Sequence, residues 1–571
     1  MKTNKEPSAL MWLSSVAGKK KIYLLVLLTV QAVLGISSVG YALLLRSIVN
    51  EAVAGNPTGF WKAIAAFIIL LLCQIALRAV NRFFEEYARA SLENCFKERL
   101  FSSLLVRDYA SVTRTHSGEW MNRLTSDTVV VADGLTQILP GVIGMAVKML
   151  GALAAILYLE PRFLYILIPG GILLIIFTYG FRKVLKKLHK IIQEADGKLR
   201  VFMQERLGSL LIVRTFSQEK STQNTAAELM EQHKKARMNR NHFSNVCNIG
   251  FAAVMNGAYA LGAVFCGYGI LTGTMSYGNL MAVLQLIGQI QSPFANITGY
   301  LPKYYAMLAS AERLMEIETA DVVTFYKEQS QEDYTDFYKN HFCGLELDNA
   351  SFTYQPPVAS KNAAPSMPVV ISNLNMTIKK GEYVAITGRS GCGKSTVLKL
   401  LMCLYPLDSG ERYLLDDTGK KELTPEWLHL FAYVPQGNQL MSGSIREIIT
   451  FGNTEKMQND DAIWTALDIS CAKEFVGQLK NGLDTVLGER GLGLSEGQMQ
   501  RIAIARAIFS EHPILLLDEA TSSLDEETEK LLLSNLRAMT DRTVIIITHR
   551  PAVLTVTDKH INLTDTLQDE L

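Results

Sequence analysis

At 571 residues the chain is too long for a single hydrophobic core, and two or three folding units are expected. A net charge of +1 gives no electrostatic reason to invoke nucleic acid as a partner. The eight cysteines (73, 95, 247, 266, 343, 392, 403 and 471) show no Cys-x-x-Cys or Cys/His spacing, which argues against a zinc site or a disulfide framework and fits a reducing compartment.

Apolarity is unevenly spread. Lys19-Lys20-Lys21 precede an apolar run over 22–45, which at ~1.5 Å per residue exceeds the ~30 Å hydrocarbon core of a bilayer. The run is too long for a signal-peptide core, and no Ala-x-Ala cleavage signature follows it. Further runs over 60–79, 138–159, 163–181, 246–271 and 280–301 bring the predicted spans to six, in a membrane domain covering 1–317. Connections of about 58 and 64 residues follow the second and fourth spans, and the others are short. Arg82, Arg89, Lys97, Arg99 and Arg107 crowd the first long connection, and Arg182, Lys183, Lys186, Lys187 and Lys190 the second. The short loops hold only Arg162. The positive-inside rule therefore puts both termini and both long connections in the cytoplasm, for a multi-pass protein of the inner or plasma membrane in contact with lipid.

Leu92, Phe96, Leu100 and Leu104 recur at helical spacing, so the second span is expected to continue as a helix into the cytoplasm. Turns near 109–117 and 214–220 are either hairpin tips or contacts to a cytoplasmic domain. In the sixth span Gln285, Gln289, Ser292 and Asn296 share one helical face, and such a polar stripe either joins helices or faces water. Lys148 sits mid-way along the third span with no Asp or Glu in any of the six spans to pair with it. It points either to a watery cavity, shared with the polar stripe and suited to neutral, zwitterionic or anionic amphiphiles, or to snorkelling.

Residues 318–343 turn polar and acidic and read as a linker, and a loop over 355–367 rich in Pro, Ala and Ser is expected to lack structure of its own. The domain from 344 to 571 has the mixed pattern of an α/β fold. Tyr383-Val384-Ala385-Ile386-Thr387 reads as a buried strand, Gly388-Arg389-Ser390-Gly391-Cys392-Gly393-Lys394-Ser395-Thr396 as a glycine-rich turn, and the residues after it as a helix. In such a phosphate-binding loop the glycines let backbone N–H groups crowd round a phosphate, and the helix N-terminus adds its dipole. Lys394 supplies a charge for the β- and γ-phosphates, and Ser395 a hydroxyl ligand for Mg²⁺. Cys392, inside the loop, is either an unusually reactive thiol or a small residue tolerated between two glycines.

Ile514-Leu515-Leu516-Leu517-Asp518-Glu519 reads as a buried strand ending in two carboxylates, with Asp518 placed to hold Mg²⁺ through water and Glu519 to polarise an attacking water. Upstream, Leu494-Ser495-Glu496-Gly497-Gln498 reads either as a capping box or as a helix N-terminus aimed at a γ-phosphate. A further strand, Val544-Ile545-Ile546-Ile547, leads to Thr548-His549-Arg550, and His549 would lie beside that phosphate if the strand runs parallel to the loop-bearing one.

From about residue 20 onward the chain resembles a half-transporter of the ATP-binding-cassette exporter family: an all-α six-helix transmembrane domain fused to an α/β P-loop NTPase domain. The resemblance implies ATP and Mg²⁺ as ligands. It also implies that Tyr354 stacks on adenine, that Gln436 of Tyr433-Val434-Pro435-Gln436 joins Mg²⁺ to the membrane half, and that Glu519 is the catalytic base. Asp525 would couple two sites, and Gly488-Glu489-Arg490-Gly491 would sense the coupling helices. Ser495, Gly497 and Gln498 would act in trans, so the working unit would hold a second half-transporter, identical or different. Glu496 departs from the usual Leu-Ser-Gly-Gly-Gln, and a carboxylate there repels phosphate. The implied activity is ATP-driven export of a small-molecule, peptide or lipid-like substrate; a flippase, an importer or an ATP-gated channel is the alternative on the same fold.

Overall fold

The computed structural model describes residues 9–115, 117–319, 331–355, 368–437, 440–451, 453–488 and 493–563. They fall into two compact units, Met1–Leu100 with Arg123–Met315, and Phe101–Asn122 with Glu316–Leu571.

The first unit is helical. Long helices at Lys21–Val53, Pro57–Val106, Leu139–Leu159, Leu164–Gly208, Glu219–Leu271 and Tyr277–Thr319 carry the six predicted spans in order. Among the described residues Ala9–Val53, Pro57–Val106, Ser117–Leu159 and Glu219–Leu271 are long and apolar enough to cross a membrane. The second long helix turns Ile68, Ile69, Leu72 and Ile75 outward, a face suited to lipid, whereas further along it Leu92, Phe96 and Leu100 are buried. Trp12 packs on Phe96 with ring centroids 5.9 Å apart, so the 3.6-residue apolar period marks a packed helix beyond the bilayer.

Glycine sets how closely the first and third long helices approach. A Cβ on Gly35 would lie 3.0 Å from the Gly144 carbonyl oxygen, so a larger residue would force these helices apart. In the segment leading into the third long helix, Asp127 is 3% exposed. Arg313 Nε and Nη2 donate to its two carboxylate oxygens at 2.8 and 2.6 Å, and Ser310 Oγ donates at 2.9 Å. Removing Arg313 would strand a buried charge, a loss of several kcal/mol.

The polar stripe of the sixth span divides by role. Gln289 is buried and donates to the Ser38 carbonyl oxygen at 2.6 Å, so it joins helices and does not face water. Gln285 is exposed. Among the described residues Lys148 has no carboxylate partner; its ammonium donates to Ser292 Oγ at 3.0 Å, a neutral hydroxyl on another helix that a search for Asp and Glu overlooks. The side chain of Asn296 lies outside the described ones.

In the second unit a helix, Gln331–Asn340, occupies part of the stretch read as a linker; residues 320–330 lie outside the described ones. Tyr334 and Tyr338, one turn apart, are buried, with Tyr334 against Trp427 and Tyr338 against Phe342. Strands β1 (Phe342–Phe352), β2 (Ile371–Lys379), β3 (Tyr383–Thr387), β4 (Ser409–Asp416), β5 (Gly419–Glu422), β6 (Phe431–Val434), β7 (Gly443–Ser444), β8 (Val486–Leu487), β9 (Ile514–Asp518), β10 (Thr543–Ile547) and β11 (Lys559–Asn562) follow. They form an antiparallel sheet ordered β2-β1-β4-β5, a parallel sheet ordered β11-β3-β10-β9-β6, and the pair β7-β8. Every residue of β9 and β10 is buried, the continuous apolar pattern of a parallel sheet covered on both faces. Ile547 of β10 lies in register with both Ile386 of β3 and Asp518 of β9. The carboxyl ends of β3, β10 and β9 therefore open side by side, where ligands bind in such sheets.

Candidate functional site

Three backbone segments leave those strand ends. The loop after β3 has Gly388, Gly391 and Gly393 at φ 148°, 84° and 95°, all in the region that favours glycine. Gly393 caps the helix Lys394–Leu401, and a Cβ there would stand 2.6 Å from Ile371 Cδ1 and 3.2 Å from the Val370 carbonyl oxygen. Arg389, Ser390 and Gly391 form the exposed rim, while Lys394 is only 6% exposed. Its ammonium donates to the carbonyl oxygens of Gly388 and Arg389 at 3.0 and 3.1 Å, which leaves one of its three N–H bonds for an anion over the loop. Cys392 packs, partly buried, beside the apolar cluster that includes Ile371 and Val397, as a small tolerated residue would.

Asp518, at the end of β9, is 1% exposed. Ser395 Oγ donates to one of its oxygens at 2.9 Å and Tyr433 OH to the other at 3.0 Å. Burial pushes this carboxyl above its usual range, and the two hydrogen bonds oppose the shift. Burial, and then the charge of Asp518, push the Tyr433 phenol up, so it stays a donor. Glu519 follows at φ 50°, left-handed for a non-glycine residue, a conformation that costs on the order of 1 kcal/mol or more and recurs at functional sites. Its N–H donates to the Ile547 carbonyl oxygen at 3.1 Å, which fixes the turn. Gln436 Nε2 donates to Glu519 Oε2 at 2.6 Å, and His549 Nε2 stands 3.4 Å from Glu519 Oε1. The hydroxyl of Ser395, the carboxylate of Asp518 and the amide oxygen of Gln436 make a hard oxygen donor set, which suits Mg²⁺.

Beside the loop, Tyr354 OH lies 3.0 Å from Thr396 Oγ1. The Tyr354 ring meets Phe352 at 4.9 Å and Tyr405 at 5.3 Å between centroids. Tyr405 in turn meets Tyr109 at 5.7 Å, and its hydroxyl lies 3.3 Å from Thr113 Oγ1. Tyr109 and Thr113 bound a one-turn helix, Tyr109–Thr113, capped by Asp108, whose side chain accepts from the Ser111 N–H. The tip of the first long connection thus reaches the loop helix through a run of aromatic rings inside the second unit. Truncating Tyr405 to alanine should keep ATP binding but lower the ratio of substrate-stimulated to basal ATPase activity at least twofold, because Thr113 and Tyr109 lose their shared partner; Tyr405→Phe should retain most of the ratio. The ratio measured in reconstituted protein checks this.

Ser495, Gly497 and Gln498 stand apart from this group. Ser495 and Gln498 close a capping box at the head of helix Glu496–Phe509, with Gln498 N–H donating to Ser495 Oγ at 3.3 Å and Ser495 N–H to Gln498 Oε1 at 2.9 Å. A Cβ on Gly497 would lie 2.7 Å from the Ser523 carbonyl oxygen, so glycine allows the helix to touch the segment that follows β9. Gln500 ties the same segment, accepting from Ser523 N–H and donating to Ser522 Oγ. Asp525 caps the next helix, Glu526–Arg537, and the Thr528 N–H holds its carboxyl below the usual range. Of Gly488-Glu489-Arg490-Gly491, residues 489–491 lie outside the described ones. Three residues were missed in the sequence. Tyr433 lies inside a motif noted for Gln436, Gln500 lies two residues past the one that ends at Gln498, and Tyr405 follows the loop helix without a motif.

Comparison with known proteins bears on both units. Residues 22–294 match the family model for the ABC transporter transmembrane region, and residues 371–522 that for the ABC transporter. The chain is 30% identical over 512 residues to ATP-binding cassette sub-family B member 10, mitochondrial, of Mus musculus, covering 87% of this chain and 68% of that one. It is 26% identical over 537 residues to the ATP-dependent lipid A-core flippase of Pasteurella multocida, covering 92% and 88%. Its fold is similar to that of a solved bacterial Atm1-family ABC exporter with ATP bound, at TM-score 0.77 and 21% identity, over 98% of this chain and 97% of that one. With membrane region and ATPase domain joined in one polypeptide, the chain belongs to the ATP-binding-cassette exporter family and couples ATP hydrolysis to transport across a membrane.

Proposed function

We propose that two copies of this chain clamp two ATP molecules between their second units and export an amphiphilic substrate from the cytoplasm. The observation that carries the site assignment is the convergence of Ser395, Asp518, Glu519, Gln436 and His549 at the carboxyl ends of β3, β10 and β9. Backbone N–H groups over 388–396 and the ammonium of Lys394 hold the β- and γ-phosphates, and Tyr354 stacks on adenine. Ser395, Gln436 and Asp518 would hold Mg²⁺, which would supply charge neutralisation at the phosphate oxygens when bound. Glu519 accepts the proton of the attacking water while Gln436 and His549 fix its carboxylate, and His549 also contacts the γ-phosphate. Ser495, Gly497 and Gln498 of each copy reach the other copy's nucleotide, and Asp525 links the two sites.

The positive charge of the long connections favours an orientation with the ATPase unit and both termini in the cytoplasm of a cell bounded by an inner or plasma membrane. The chain purified alone should run as a dimer and hydrolyse ATP in a Mg²⁺-dependent manner. A folded chain that binds ATP but turns it over only after a different half-transporter is added would replace the homodimer with a heterodimer.

A further inference from the structure

In the first unit a cavity of about 150 Å³ lies where the first, second and sixth long helices meet the residues leading into the third. Its polar lining is Gln31, Asn81, Glu85, Thr136, Gln137 and Tyr300. Two of these are already served: Thr136 Oγ1 donates to the Ala132 carbonyl oxygen, and Gln137 Oε1 accepts from Lys303 at 3.0 Å.

The others are not. Asn81 is 9% exposed, and its Oδ1 lacks a hydrogen-bond partner. Its amide nitrogen makes one long bond, 3.4 Å, to Glu85 Oε2. Among the described residues Glu85 forms no ion pair, because the nearby cations are engaged elsewhere: Arg89 with Glu86 and Asp133, and Lys303 with Gln137. The charges near enough to act on Glu85 are Arg89 and Lys303 on one side and Asp133 and Glu86 on the other, two of each sign. The Tyr300 ring lies over Gly141, where a Cβ would come within 2.5 Å of its hydroxyl, and this places the phenol at the cavity. A buried amide oxygen without a donor is costly, and a carboxylate at the edge of a bilayer adds to that cost.

We propose that this cavity is a recognition subsite for a protonated primary amine, held by the Glu85 carboxylate, Asn81 Oδ1 and the Tyr300 oxygen. An ammonium head has three N–H donors, which match these three acceptors. A quaternary ammonium would satisfy Glu85 but leave Asn81 Oδ1 unserved, and an alcohol would leave the carboxylate without a counter-charge. Gly141 and Lys148 are seven residues apart on the same face of the third long helix, about 10 Å at ~1.5 Å per residue, so an acidic group on the same ligand meets the Lys148 and Ser292 pair. The subsite thus narrows the proposed amphiphile to one with an amine head. As a substrate site it rests on the export reading, but as a binding site it does not.

The test uses the full-length protein in nanodiscs of phosphatidylcholine and phosphatidylglycerol, without ATP, carrying Gln31→Cys at the cavity wall, which leaves Lys303 on Gln137. Bimane labelling of that cysteine is followed by mass spectrometry of its peptide. Octylammonium should slow labelling at a concentration roughly tenfold lower than octyltrimethylammonium or octanol does. Glu85→Gln should abolish that preference, Glu85→Asp should keep part of it, and Glu93→Gln, two turns further along the same helix where Glu93 pairs with Lys97, should leave it unchanged. Equal protection by all three probes, or a preference that survives Glu85→Gln, would overturn the proposal. Adding phosphatidylethanolamine to the discs separates the sources of the amine: competition with octylammonium assigns the site to a lipid head, and unchanged protection to a soluble amine. Protection without ATP-driven uptake of any amine would leave the binding site standing and refute its role as a substrate site.

Discussion

Glu519→Gln should leave ATP binding intact, cut turnover by roughly two orders of magnitude or more, and accumulate a closed dimer with ATP trapped in it. The substitution keeps the shape of the side chain and both of its neighbours. Gln436 Nε2 donates to Oε2 at 2.6 Å and His549 Nε2 stands 3.4 Å from Oε1, so a glutamine can keep its single oxygen toward Gln436 and turn its amide nitrogen toward His549. What is lost is the anionic acceptor for the proton of the attacking water. The left-handed backbone at Glu519 and its N–H bond to Ile547 would persist, because neither depends on the carboxylate. Single-turnover hydrolysis and nucleotide binding, measured on the same sample, separate the two effects. Near-normal turnover would remove Glu519 from the role of base.

Lys394→Met should weaken ATP binding by roughly tenfold to a hundredfold, since it removes a charge-assisted donor to the β- and γ-phosphates. The fold should survive, because the ammonium meets only carbonyl oxygens of its own loop, those of Gly388 and Arg389. Lys394→Arg should not restore affinity: a planar guanidinium is larger than the point charge that a side chain 6% exposed can carry over these two oxygens. Equilibrium binding of a fluorescent ATP analogue measures both variants, and an unchanged dissociation constant for Lys394→Met would place the phosphates elsewhere.

The site was legible in the sequence wherever backbone chemistry constrains residue type. Gly388, Gly391 and Gly393 declare their positive φ because other residues adopt it poorly, and the all-apolar run over 514–517 declares a strand covered on both faces. The spans were legible as length and apolarity alone. Contacts between residues distant in the chain were not. Ser292 gives no sign that it receives Lys148, 144 residues away, nor Gln289 that it bonds to Ser38, 251 residues away. Both look like members of one polar stripe, and only the fold gives one of them to a cation and the other to a carbonyl group. The helix Gln331–Asn340 was hidden by its charge, since its two buried tyrosines are too few to lift a polar window. Tyr405 shows the same limit, for nothing near it in sequence announces Tyr109 or Thr113.

The central claim is that ATP hydrolysis at this site drives solute across a membrane. The most direct measurement is uptake of radiolabelled amphiphiles, octylamine among them, into inside-out vesicles containing the reconstituted chain. Export predicts ATP-dependent accumulation above the equilibrium level that a nonhydrolysable analogue does not support and that Glu519→Gln abolishes. Unitary ion currents opened by ATP, with no solute accumulated, would contradict it.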